Sequence, residues 1–216
     1  MTTIAEPLTI TSGDLRLEAL LECPSTDFDS VPGVVICHPH PRQGGNMYSS
    51  VVIGVADRLT ANGIAVLRFN FRGVGGSEGE FDWGSGETDD AETALEAISL
   101  TEGVDASRIG IAGYSFGAAV ALQAAMGSPT IQAVASIACP AQQLRAFSGL
   151  EMLQPKLFIL GDHDHNFPAD QFRFLTRRYA DPCEAEIIPG ADHFFRGSES
   201  EVGEIASRFF TTWLKR

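Results

Sequence analysis

The sequence predicts an α/β protein, a mostly parallel sheet of about seven or eight strands with helices on both faces. Three observations carry this. From Gly33 onward, short apolar runs of strand length alternate with helical periodicities. One run, Arg108–Ala112, passes through Gly113-Tyr114-Ser115-Phe116-Gly117 straight into Ala118–Met126, a string of small and straight-chain helix formers. No insertion is long enough for a separate lid, and 216 residues fit a single domain spanning 1–216.

In order, Leu8–Ile10 and Leu15–Leu21 flank the turn cluster Thr11-Ser12-Gly13-Asp14 and read as an antiparallel edge hairpin. Pro24 to Pro32 reads as a polar loop. Gly33–Cys37 is a buried central strand, ended by His38-Pro39-His40-Pro41 because proline removes ladder donors. Ser49–Ala61 is helical and Asn62-Gly63 stops it. Ile64–Phe71 is a strand, Arg72–Gly86 a Gly-rich loop, and Glu87–Leu100 a helix with acidic residues in its first turn. The Arg108–Ala112 strand and its helix follow, with Gly127 expected just past the helix end. Ile131–Ala138 is a strand, Gln142–Leu150 a short helix, and Lys156–Leu160 a strand ending at Gly161. Pro168, at a first helical position, opens a helix to Ala180. Glu184–Ile188 is the last strand, and Ser200–Lys215 a closing helix with Val202, Ile205, Phe209, Phe210 and Trp213 inward.

Composition narrows the function. The net charge of −13 argues against nucleic acid or an anionic membrane surface as partner and is read as colloidal solubility. The first residues lack a basic region and an apolar run, so no signal peptide is expected, and no apolar run reaches the roughly 18 residues a bilayer requires. Cys23, Cys37, Cys139 and Cys183 are scattered without a CxxC pair, as free thiols of a cytoplasmic protein would be.

The chemistry centres on Ser115. A G-x-S-x-G motif between a buried strand and a helix is the setting of a nucleophile elbow, in which the flanking glycines make room for a strained turn. Gly75-Gly76-Ser77-Glu78-Gly79 is a second formal match, but no helix follows it and Ser77 is set aside. Ligands of an open parallel sheet sit at the carboxyl ends of its strands. There the chain offers His38 and His40, Arg72, Ser115, Asp162 to His165, and Asp192-His193. A hydroxyl nucleophile needs a base, and the base an orienting carboxylate, here in the order Ser, Asp, His. His193 is the only histidine downstream of every candidate acid. Asp164 and Asp162 compete for the acid; Asp164 is favoured because its loop position can turn toward the histidine. Asp192 adjoins His193 and is badly placed to reach its ring. The oxyanion donors are the backbone N–H of Phe116 and, since Pro39 and Pro41 have none, that of His40. Pocket walls are expected from Arg42, Tyr48, Tyr114, Phe116, Phe167, Phe194 and Phe195.

On these stretches, together with Phe69–Gly79 and Gly161–Pro168, the chain resembles the α/β-hydrolases, and more narrowly the small lidless hydrolases related to dienelactone hydrolase. The resemblance spans most of the chain in the family's order. It implies a Ser115–Asp164–His193 triad and a structural role for Arg72-Gly73. Dienelactone hydrolase itself uses a cysteine where this chain has Ser115, so lactone chemistry does not carry over.

The expected function is a serine hydrolase, carboxylesterase-like, acting on a small-molecule ester or thioester without cofactor or metal. Two alternatives stand beside it. A metallohydrolase draws on His38-x-His40 and Asp162-His163-Asp164-His165, but lacks a further Asp-His pair soon after His40. A hydrolase-like binding protein would keep the fold without turnover. A dinucleotide site fails because Glu78 stands where the third glycine of G-x-G-x-x-G belongs.

Overall fold

A computed structural model describes residues 3–25 and 30–215. Part of the expected Pro24–Pro32 loop therefore lies outside the described residues. The described residues form one eight-stranded sheet and six α-helices. β1 (Thr3–Ser12) and β2 (Leu15–Pro24) make the edge hairpin, in full register from Thr3↔Pro24 to Ser12↔Leu15. Then come β3 (Val31–Cys37), a short 3-10 turn over Pro41–Gln43, α1 (Ser50–Ala61), β4 (Ala65–Phe69) and α2 (Ser85–Ser99). β5 (Val104–Tyr114) leads into α3 (Phe116–Gly127), followed by β6 (Ile131–Ile137) and α4 (Ala141–Phe147). β7 (Lys156–Gly161), α5 (Ala169–Thr176), β8 (Cys183–Ile188) and α6 (Glu199–Leu214) complete it.

The strand order is β1-β2-β4-β3-β5-β6-β7-β8. β2 runs antiparallel to both β1 and β4, and every pairing from β4 to β8 is parallel. β3, β4 and β7 are buried along their whole length, which is why they read as unbroken apolar runs. Two cores result. On one face Val51, Val52, Val55 and Leu59 of α1 meet Val202, Phe209 and Phe210 of α6 over Val34, Ile36 and Ile159. On the other, α2, α3, α4 and α5 cover Val35, Ile111, Val134 and Phe158. α3 is apolar nearly all round, as a helix packed on several sides must be.

The elements fall where expected, with local differences. Gly127 is the last residue of α3 rather than the residue beyond it, and extended Ser128 ends the helix. Pro168 is the N-cap of α5, not its first helical residue, and the helix stops at Thr176. β5 begins at Val104, before the apolar run, because the partly buried Val104 pairs with Val31 ahead of a register shift to Gly33↔Ile109. Ile205 and Trp213 of α6 are only partly buried.

Candidate active site

Ser115 stands at the apex between β5 and α3 with φ 55° and ψ −115°, a backbone state a non-glycine residue holds only when its surroundings force it. Its N–H donates to the Ile137 carbonyl at 2.8 Å, fixing the apex to the neighbouring strand. A Cβ on Gly113 would collide with the Gly117 carbonyl, and one on Gly117 with the carbonyls of Cys37 and His38. The glycines thus let the start of α3 press against the end of β3.

The loops after β7 and β8 deliver the other two side chains. The Ser115 hydroxyl lies 3.1 Å from His193 Nε2, and His193 Nδ1 lies 2.6 Å from Asp164 Oδ2. With Nδ1–H donating to the carboxylate, Nε2 is left as the acceptor facing the hydroxyl. Asp164 Oδ1 accepts the Asn166 N–H at 2.9 Å. Burial pushes the Asp164 carboxyl up, but the hydrogen bonds from His193 and from the Asn166 amide outweigh it and hold the group below its ordinary value. The structure separates the competing acids. Asp162 accepts the Gly190 N–H at 2.6 Å and braces the turn after β8. Asp192 accepts the Phe194 N–H at 2.9 Å and pairs with Arg196 at 3.2 Å.

The His38–Pro41 segment brings His40 beside Phe116, with ring centroids 5.1 Å apart. The His40 ring Nδ1 accepts the Arg42 N–H at 3.2 Å, and its carbonyl takes the N–H groups of Gln43 and Gly45. His38 lies beneath. Its Nε2 accepts the Phe71 N–H at 3.1 Å, so Nδ1 carries the proton and donates to the Pro39 carbonyl at 2.6 Å. Burial lowers its pKa to about 4, although the bond to Pro39 works the other way. With both nitrogens engaged, His38 has none to offer a metal. Ser77 is a brace as well, donating to the Asn70 carbonyl at 2.7 Å and accepting the Glu18 N–H at 2.9 Å. Arg72 binds Asp90 of α2 through both its backbone N–H and its guanidinium.

Ser115 and His193 open onto a cleft of about 410 Å3, whose walls include His40, Gln43, Ser49, Tyr114, Asn166, Phe194 and Arg196. Of the expected pocket residues, Tyr114 and Phe194 line it. Phe167 and Phe195 do not: they are 2% and 0% exposed, in the two opposite cores. Phe195 turns inward through a positive φ of 51°, which the sequence does not announce. Tyr48 lies instead on an outer groove with Gly76 and Glu78, and Arg42 stacks over Trp83 at 5.7 Å. Missed were Gln43, Ser49, Asn166 and Arg196. Asn166, two residues beyond Asp164, and Ser49, the cap of α1, carry positional signals; Arg196 carries none.

A model of the family described as X-Pro dipeptidyl-peptidase (S15 family) matches residues 12–158. The chain belongs to that family. The matched part of this S15 chain holds Ser115 and His40 and ends before Asp164 and His193. An uncharacterized protein of Rickettsia prowazekii is 38% identical over 191 residues, covering 85% of this chain and 80% of that protein. A lidless a/b serine hydrolase from Xanthomonas campestris superposes with a TM-score of 0.86 at 30% identity, over 100% of this chain and 98% of its own. An alpha-beta serine hydrolase homologue from Coxiella burnetii gives 0.84 at 32% identity, over 94% and 96%. The S15 chain is therefore an α/β serine hydrolase by fold, with no lid among the described residues, as the sequence led us to expect.

Proposed function

We propose that the chain hydrolyses a small ester or thioester through an acyl-enzyme on Ser115. The reading rests on one observation, the hydrogen-bonded row from Ser115 through His193 to Asp164. Ser115 Oγ attacks the acyl carbon while His193 Nε2 takes its proton, and Asp164 stabilises the imidazolium that forms. The N–H groups of His40 and Phe116 hold the oxyanion. His193 then protonates the departing alcohol or thiol as its bond to the acyl carbon breaks. Water, activated by the same imidazole, releases the acid and restores Ser115. The cycle calls for neither cofactor nor metal. An open site without a lid suits a small soluble substrate. Four cysteines with no disulfide among the described residues favour a cytoplasmic setting, and among those residues no helix is long and apolar enough to cross a membrane.

The S15 match supports a second reading, cleavage of a peptide amide after X-Pro. One experiment weighs both: a fluorophosphonate probe on wild type and Ser115→Ala, with p-nitrophenyl acetate and an X-Pro p-nitroanilide as substrates. Labelling and ester turnover lost together in Ser115→Ala support the ester reading. Turnover of the anilide at a higher kcat/KM than the ester gives the site to peptides. A folded wild type that neither labels nor turns over overturns both.

A further inference from the structure

A second cleft, about 370 Å3, is lined by Phe116 but by neither Ser115 nor His193. Trp83, Phe116, Ala119, Val120 and Phe147 give it apolar walls, with Gln123 and Gln143 at its polar edge. It adjoins the reaction centre at Phe116, which follows Ser115 in the chain, lines this cleft and packs its ring against that of His40 in the wall of the first. Rings connect the two places: His40 to Phe116 at 5.1 Å, Phe116 to Phe81 at 5.6 Å, and Phe81 to Trp83 at 5.2 Å.

Trp83 is the unusual member. It is 79% exposed and holds φ 54°, a conformation that a bulky side chain adopts at a cost. Nothing in the packing of the cores accounts for an indole held out in water by a strained backbone. The Arg42 guanidinium lies over its ring at 5.7 Å, which orients the indole without burying it.

Resting on the acyl-enzyme reading, we propose that this cleft receives the acyl group of the substrate and that the group is aromatic. The stereochemistry assigns the sides. The departing oxygen or sulfur must take its proton from His193 Nε2, and His193 lines the first cleft, with Gln43, Asn166 and Arg196, and not the second. The leaving group exits there, over polar walls. With the carbonyl oxygen held between the His40 and Phe116 amides, the acyl chain runs the other way, past the Phe116 ring toward Trp83. The rings of Trp83, Phe116 and Phe147 in its walls favour a flat occupant, since offset stacking and edge contacts add to simple burial. Asp89 at the rim disfavours an anionic substituent on that ring.

The test uses p-nitrophenyl 3-phenylpropionate and p-nitrophenyl hexanoate, which share a leaving group and have electronically similar acyl carbons. Wild type is expected to favour the phenyl ester in kcat/KM by about tenfold. In Trp83→Ala and Phe147→Ala that ratio falls toward one; in Trp83→Phe much of it returns; in Phe174→Ala, exposed on α5, it stays as in wild type. The ratio is internal to each variant, so a loss of active protein does not imitate the result. Equal rates for the two esters in wild type, or a ratio unmoved by Trp83→Ala, overturn the proposal. So does an effect of Trp83→Ala that follows the alcohol in a series of acetate esters rather than the acyl group. Failure of the underlying reading looks different: neither ester turns over and the fluorophosphonate leaves Ser115 unlabelled.

Discussion

The Tyr114 hydroxyl donates to the backbone carbonyl of His193 at 2.9 Å, so the residue before Ser115 grips the loop that carries His193. Tyr114 is 5% exposed, and burial, aided by the charges of Asp192 and Asp164, pushes its phenol well above the usual range, keeping it a donor. Tyr114→Phe leaves that carbonyl unpaired and loosens the distance between Nε2 and Oγ. The expected result is a kcat several-fold lower at nearly constant KM, with stability reduced by about 1–3 kcal/mol. Steady-state kinetics and a urea melt check both.

The two competing acids separate by mutation. Asp164→Asn keeps the shape but removes the charge facing Nδ1 and favours the wrong tautomer, so kcat is expected to fall about 10³–10⁴-fold. Asp162→Asn weakens only the brace on the Gly190 N–H. Its kcat stays within a few-fold of wild type, as esterase assays on both variants at neutral pH would show.

His38 makes stability pH-dependent. In the unfolded chain a histidine takes a proton below about 6.5, whereas burial holds the folded group neutral down to about 4. Between these values the unfolded state binds more protons, so stability rises with pH across the window and is lost as pH falls through it. The span corresponds to a contribution on the order of 3 kcal/mol. Denaturant melts from pH 4 to 7 should show a shallower slope for His38→Gln than for wild type.

Arg72 and Asp90 form a nearly enclosed ion pair, with side chains 15% and 0% exposed. Arg72→Ala strands the Asp90 carboxylate, and a loss of about 3–5 kcal/mol is expected. Removing both charges with Arg72→Met and Asp90→Leu should restore much of it, which a thermal melt of the three proteins would reveal.

Much of this was readable in advance because it depends on periodicity and chain order. Strands buried on both faces read as apolar runs, and Ser115 between β5 and α3 needed only its local context. His193 stood out by its position after the last strand, whereas position after β7 left Asp162 beside the favoured Asp164. What escaped depends on single backbone angles. Phe194 and Phe195 are adjacent and chemically alike, yet one lines the cleft and the other fills the core, decided by the φ of Phe195. Trp83 sits in a stretch that reads only as Gly-rich loop, and its outward indole follows from a strained φ that composition does not encode. Arg196 reaches the cleft across a turn whose path sequence spacing leaves open.

β8 lies at the margin of the sheet, hydrogen-bonded on one side only, to β7, and most of its residues are not buried. The imidazole rides on the loop that leaves this strand. A brief detachment of the margin would carry His193 away from Ser115 and free Ile188 from one core, while the rest of both cores stayed in place. Warming should therefore silence the enzyme reversibly some degrees before the body of the molecule gives way, and cooling should bring it back without refolding.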